Sequence, residues 1–270
     1  MKRVVTIAGA AAQGSAGIQA DLKTFQERDV YGMSVITATV ANNSKTSQGI
    51  FIRDIEEIEA QFYAATEMVG LDALKTGMLF SREIIEKVSE LLQDLPVRYK
   101  VIDPVMIGKM GSQLLADDAI EVLKEQLIPQ ATIITPNRLE AEKLLEEEIP
   151  REIEALKAAT KKLYGLGPQS VLLKAGSVED EAIDIFYDGQ EFTVFRLPLV
   201  ETIHTSGAGC TFAACLTAEL AKEVPMIQAI EMSKQFVYKA IKHALSFGTG
   251  IGSVRHGAFR QKNEHVLGKQ

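Results

Sequence analysis

The sequence predicts an α/β protein, a three-layer α/β/α sandwich around a mostly parallel central sheet. Short apolar segments alternate with segments whose apolar residues recur at helical spacing, as in βαβ units. One hairpin signal, Asp188-Gly189, lies between two strand-like segments and indicates an antiparallel edge. The 270 residues contain no Pro/Gly/Ser-rich linker and no repeat, so we expect one domain over residues 1–270.

The elements follow from local patterns, taken in chain order. Strands are predicted at 3–8, 33–40, 71–76, 99–102, 132–135, 170–174, 182–187 and 191–197. Helices are predicted at 18–27, after Asp54, after Ser81, at 117–127, after Pro136, at 153–163 and over most of the chain from Gly209. Asp54 with Glu57 resembles a capping box, Ser81 is a helix cap, and Pro225 suits a first helical turn. A loop of small residues over 9–17 joins the first strand to the first helix.

Composition and charge exclude several classes of protein. Hydrophobic residues make up 46% and charged residues 24%, an ordinary globular composition. No apolar stretch is long enough to span a membrane. A net charge of −7 without a Lys/Arg run argues against nucleic-acid binding. Cys210 and Cys215 cannot form a disulfide framework, and the four histidines form no metal-ligand pattern. No signal-peptide pattern follows Met1. We therefore expect a reduced, cytoplasmic protein.

One segment predicts an anion site. Gly207, Ala208, Gly209 and Cys210 precede a helix-forming run, and ligands of open α/β sheets bind at the carboxyl ends of strands. Free amides and the helix dipole at such a place bind phosphate without a basic surface, and the same field should favour the Cys210 thiolate. The alternative is a small buried cysteine after a tight glycine turn.

Other candidates are open between two interpretations. Asn137 and Glu140 are either a plain helix cap or a Mg²⁺ and phosphate element. Asp103, before Pro104, is either a turn residue or part of the site. Lys174 ends an apolar strand and is either a snorkelling lysine or a phosphate contact. P-loop, G-x-G-x-x-G and G-x-S-x-G patterns are absent, which argues against P-loop proteins, dinucleotide folds and serine hydrolases.

Five segments carry a family resemblance by their order. GIQADLKTF, KTGML, VIDPVM, TPNRLEAE and GAGCTF follow one another at family-like spacing, and the similarity runs from Val4 to Phe259. Together they resemble the ribokinase-like vitamin kinases, in the branch of hydroxymethylpyrimidine (phosphate) kinases and bacterial pyridoxal kinases.

The resemblance implies a reaction and its partners. It implies ATP- and Mg²⁺-dependent phosphorylation of the hydroxymethyl group of 4-amino-5-hydroxymethyl-2-methylpyrimidine in thiamine synthesis or salvage, with use of the monophosphate left open. Pyridoxal or pyridoxine kinase is the alternative, and a weakly catalytic vitamin- or nucleotide-binding paralogue is a third hypothesis. The partners are then a small vitamin precursor and ATP. Relatives are often homodimers, so we expect a homodimer.

The resemblance also implies residue roles. Residues 207–210 would hold the transferring phosphoryl group, and Cys210 would deprotonate the substrate hydroxyl. Asp103 and Glu140 would lie at Mg²⁺. The nucleotide would contact Asn137, Glu140, Lys174, Asp103 and Gly176, and the substrate ring would contact Gly9, Asn42, Met78 and Val105.

The chain departs from the family pattern around the substrate site. Ala10-Ala11 stand where Ser-Asp is usual, Asn42 where the pyrimidine kinases typically have Gln, and Ser206 where His is usual. Gly108-Lys109 stand where pyridoxal kinases often have a second Cys, which favours the pyrimidine branch. The two glycines within 108–113 suggest a mobile flap.

Overall fold

The computed structural model describes residues 1–107 and 113–260. The flap expected within 108–113 and the Gly108-Lys109 pair fall on 108–112 and so lie outside the described residues. In the described part of the chain, no helix is both long and apolar enough to cross a membrane.

Within the described ranges, nine strands form one sheet in the order β3-β2-β1-β4-β5-β6-β7-β8-β9. They are β1 (Arg3–Ala11), β2 (Tyr31–Val40), β3 (Ile50–Ile52), β4 (Ala73–Thr76), β5 (Tyr99–Ile102), β6 (Ile133–Ile134), β7 (Val171–Val178), β8 (Glu181–Tyr187) and β9 (Phe192–Pro198). The six strands from β2 to β7 in that order pair in parallel, while β3, β8 and β9 pair antiparallel at the two edges. This arrangement confirms the predicted fold class.

Helices cover both faces of the sheet. They are α1 (Gly17–Glu27), α2 (Ile55–Met68), α3 (Arg82–Gln93), α4 (Asp117–Val122), α5 (Arg138–Leu145), α6 (Ile153–Tyr164), α7 (Ala208–Ala221) and α8 (Met226–Lys242). Helices α2 to α6 pack on one face, and α1, α7 and α8 pack on the other. Helix α7 is buried continuously from Thr211 to Ala221, which explains why its sequence is apolar all round.

Several local predictions are confirmed and others are wrong. Ser81 caps α3 by accepting a hydrogen bond from the Ile84 amide at 3.3 Å, and β8 and β9 form the predicted hairpin. Asp54 precedes α2, but its side chain makes no capping hydrogen bond, so the capping box predicted there is wrong. Strand β1 continues to Ala11, because a register shift after Ala8 lets the small residues keep pairing with β2.

The antiparallel edge strand β3 was not predicted from the sequence. It has only three residues, Ile50, Phe51 and Ile52, and all three are exposed. A segment this short with no alternation between buried and exposed residues carries no strand pattern. Only its pairing with β2 makes it a strand.

Candidate active site

The loop before α7 requires glycine at its centre. Gly207 has a φ of 84°, and a Cβ there would lie 1.8 Å from the Ser15 carbonyl oxygen. Ser206 Oγ donates a hydrogen bond to Ser15 Oγ at 3.0 Å, so the serine that departs from the family pattern holds this loop against the one before α1. The Ala208 amide donates to the Thr205 carbonyl at 3.2 Å, whereas the next first-turn amides of α7, those of Gly209 and Cys210, lie at the positive end of the helix dipole.

Cys210 lies between the first turns of two helices. Its Sγ accepts a hydrogen bond from the Gly17 amide of α1 at 3.4 Å. Burial, and after it the carboxylate of Asp21, raise the pKa of the thiol to about 11, although Lys75 and the Gly17 amide act in the opposite direction. Burial therefore opposes the thiolate that the helix terminus favours, and the charge state of Cys210 stays a prediction.

Asp103 and Lys174 form an ion pair beside this loop. Asp103 is buried, and its Oδ1 accepts hydrogen bonds from Thr135 Oγ1 at 2.8 Å and Lys174 Nζ at 3.0 Å. The side chain of Lys174 is only 16% exposed, so the snorkelling interpretation is wrong. Burial by itself would lower the pKa of Lys174, but Asp103 and Glu140 outweigh burial and raise it. A Cβ on Gly209 would lie 3.5 Å from Lys174 Nζ, which places a fixed cation next to the α7 amides.

Asn137 and Glu140 form the complete capping box of α5. Asn137 Oδ1 accepts from the Glu140 amide at 2.9 Å, and Glu140 Oε2 accepts from the Asn137 amide at 2.8 Å. The helix-cap interpretation is confirmed, and it does not exclude a role of these two residues in binding Mg²⁺ and phosphate. Burial, with a smaller contribution from Asp103 and against the opposing effect of Lys174, raises the pKa of Glu140 to about 7. A buried carboxyl that is half protonated at neutral pH would gain from a cation.

A cavity of about 540 Å³ brings five of the predicted residues together. They are Asn137, Lys174, Gly176, Ala208 and Gly209. Gly176 has a φ of 77°, and a Cβ there would meet nothing within 4 Å. The rest of the wall is mainly apolar and includes Phe212, Val237 and Tyr238. An apolar wall that ends at Lys174 and a helix N-terminus suits a planar base followed by phosphates.

The predicted substrate residues lie at the carboxyl ends of four neighbouring strands, β2, β1, β4 and β5. Gly9 lies in β1, and a Cβ there would come within 2.5 Å of the Phe80 ring. Met78 follows β4 and accepts a hydrogen bond from Thr37 Oγ1 at 3.0 Å, and Val105 follows β5. Asn42 follows β2 and is exposed, and a Cβ on Gly49 would lie 1.9 Å from Asn42 Oδ1. The role of these four residues stays a prediction.

Sequence reasoning missed a second buried ion pair. Lys75 Nζ donates to Asp21 Oδ2 at 2.9 Å, and neither side chain has any exposed surface. Thr6 Oγ1 donates to the same oxygen at 2.6 Å. The signal was available, because Lys75 interrupts the apolar strand β4 just as Lys174 interrupts β7.

These features define a class of protein. A ribokinase-like sheet, a helix N-terminus for an anion, a paired lysine and a nucleotide-sized cavity are the parts of a phosphotransferase that uses a nucleotide. The family profile described as phosphomethylpyrimidine kinase matches residues 12–255. The chain belongs to this family, and it is a phosphotransferase.

The relatives include enzymes with two different names. Pyridoxine kinase of Bacillus subtilis is 41% identical over 265 residues, which cover 96% of this chain and 97% of that protein. Hydroxymethylpyrimidine/phosphomethylpyrimidine kinase of the same organism is 42% identical over 263 residues, 97% of each. The solved structure of an ADP complex of Bacillus subtilis pyridoxal kinase superimposes with a TM-score of 0.91 at 40% identity, covering 97% of this chain and 99% of that one.

Proposed function

We propose that this chain, as one domain over residues 1–270, transfers the γ-phosphoryl group of ATP to the hydroxymethyl group of 4-amino-5-hydroxymethyl-2-methylpyrimidine. The monophosphate is its second substrate, and the reaction takes place in the cytoplasm. The observation that carries the proposal is the cavity that ends at Lys174 and the first turn of α7. The ADP complex of the Bacillus subtilis relative supports a nucleotide as the donor.

Each residue then has a defined task. The amides of Gly209 and Cys210 and the ammonium of Lys174 bind the phosphates, where they offset charge that spreads over oxygens in the transition state. Cys210 Sγ takes the proton of the attacking hydroxyl. Burial disfavours the thiolate that this step needs, so Cys210 requires positive charge close to it.

Two carboxylates fit a magnesium ion. Among residues 1–107 and 113–260, no group of three or more His, Cys, Asp or Glu side chains could hold a metal alone. Mg²⁺ bound with a nucleotide needs only one or two carboxylates, because waters and phosphates complete its shell. Glu140 and Asp103 would hold it, and the ion would neutralise phosphate charge. Glu140, with its raised pKa, would then be ionised at neutral pH.

Pyridoxine or pyridoxal is the alternative substrate. The similarity to pyridoxine kinase at 41% identity favours it as directly as the other relative favours the pyrimidine. The deciding experiment measures ATP consumption with hydroxymethylpyrimidine, its monophosphate, pyridoxine and pyridoxal in parallel. We expect the highest kcat/KM with the pyrimidine. Higher values with pyridoxine or pyridoxal would overturn the substrate assignment. Absence of turnover with all four would leave a binding paralogue.

We also propose a homodimer and no nucleic-acid partner. The edge strand β3 exposes Ile50, Phe51 and Ile52 together, and an apolar edge strand favours pairing with a second chain. Sedimentation velocity should show a dimer, and Phe51→Glu should shift it towards monomer. A monomeric wild-type protein at micromolar concentration would contradict the dimer.

A further inference from the structure

A buried ion pair that has no task in the proposed function lies close to the loop before α7. Lys75 of β4 and Asp21 of α1 are both fully buried, which is rare for charged side chains. Burying such a pair seldom stabilises a fold more than apolar residues of similar volume would. Asp21 Oδ1 is also buried and has no hydrogen-bond partner within the described part of the chain. The pair is therefore hard to explain by fold stability alone.

The pair lies close to Cys210. Asp21 is one helical turn beyond Gly17, whose amide donates to Cys210 Sγ. A Cβ on Gly77 would lie 3.4 Å from Lys75 Nζ, so the amine reaches the carboxyl end of β4, over which α7 packs. Burial would lower the pKa of Lys75, but Asp21 and then Cys210 outweigh burial and raise it. The raised pKa favours the charged form of Lys75 and reflects an electrostatic interaction with the thiol.

We propose that Lys75 is a positioning residue for phosphoryl transfer, whose ammonium group, held in place by Asp21, balances the negative charge of deprotonated Cys210. A minor thiolate fraction of Cys210 forms when the thiol loses its proton to water. The thiolate then takes the hydroxyl proton as the substrate oxygen bonds to phosphorus and the bond to the ADP oxygen breaks. Lys75 keeps its own proton throughout. This inference rests on the proposed role of Cys210, but its test needs no turnover.

The charges around the thiol make the direction of each change predictable. Asp21 of α1 and Asp103 after β5 disfavour the thiolate, while Lys75 of β4 favours it. Lys174 of β7 also interacts with Cys210 electrostatically. Lys75→Met removes a cation and should make the thiol harder to ionise. Asp21→Asn removes an anion, keeps a side-chain oxygen that can accept from Lys75 Nζ, and should make ionisation of the thiol easier.

The test is the pH dependence of iodoacetamide alkylation at Cys210, followed by peptide mass spectrometry. Cys215, a fully buried thiol in the same chain, is the internal control. We expect the midpoint to rise by about one pH unit in Lys75→Met, to fall by about one unit in Asp21→Asn, and to return near the wild-type value in the double variant.

A purely structural pair would move both midpoints in the same direction or leave both unchanged, and either result would overturn the proposal. Circular dichroism checks the fold of each variant. If Lys75→Met does not fold, Asp21→Asn decides, because a midpoint that stays or rises contradicts the charge balance. If the alkylation midpoints move as expected but the protein has no kinase activity, the proposed function is contradicted and the charge balance at Cys210 is supported.

Discussion

Glu140 should weaken the fold at neutral and alkaline pH, and Glu140→Gln should remove this weakness. Its pKa rises from an ordinary 4.5 to about 7 in the folded protein. Folding therefore prefers the protonated carboxyl. The stability contributed by protonated Glu140 is fully present below about pH 4.5 and is lost as the pH rises through about 7. Glutamine is neutral at every pH and keeps an oxygen that can accept from the Asn137 amide.

The magnitude follows from the size of the pKa shift. About 2.5 pH units at about 1.36 kcal/mol per unit give an upper bound of about 3 kcal/mol above pH 8. For a chain of this size, each kcal/mol raises Tm by roughly 2–4 °C. The assay is thermal unfolding of wild type and Glu140→Gln, without ligand, from pH 5 to 8.5. The Tm difference should be small at pH 5 and grow steadily through pH 7.

A matched control is Glu147→Gln. Glu147 is 41% exposed and pairs with Lys162 at the surface, so its removal should change stability by less than about 0.5 kcal/mol at any pH. A gain in Glu140→Gln that does not depend on pH, or a loss at pH 8.5, would refute the reasoning. Glu140→Gln should also lose turnover at limiting Mg²⁺. The negative charge of Glu140 would then lower the stability of the fold but support the reaction.

Three further predictions concern the loop and the substrate site. Cys210→Ala should lower kcat by about 10² or more, whereas Cys215→Ala, away from the cavity, should leave kcat unchanged. Equal activity of the two variants would indicate that Cys210 has only a structural role. Asn42→Gln should raise kcat/KM for the pyrimidine relative to pyridoxine, and an unchanged ratio would count against Asn42 as a ring contact. Gly207→Ala should lower Tm and ATP affinity together, because its Cβ would meet Ser15; a wild-type Tm would contradict the glycine requirement.

Much of the fold follows from local signals in the sequence. Strand β5 was predicted with its exact bounds, Tyr99–Ile102, since a short apolar segment ending at Asp-Pro leaves little freedom. The α7 loop and the α5 cap were also identified, because a glycine-rich turn before a helix and a capping box are both made of consecutive residues. These patterns led to the family that the comparisons confirm.

The tertiary structure decided which groups meet and in what charge state. Gly17 and Cys210 are 193 residues apart in the chain, and Asp21 and Lys75 are 54 apart, so no local pattern links them. The sequence by itself determined a helix terminus suited to an anion and a cysteine within it. Whether that cysteine is a thiol or a thiolate depends on burial and on charges from three other elements, which exist only once the sheet and α7 have packed.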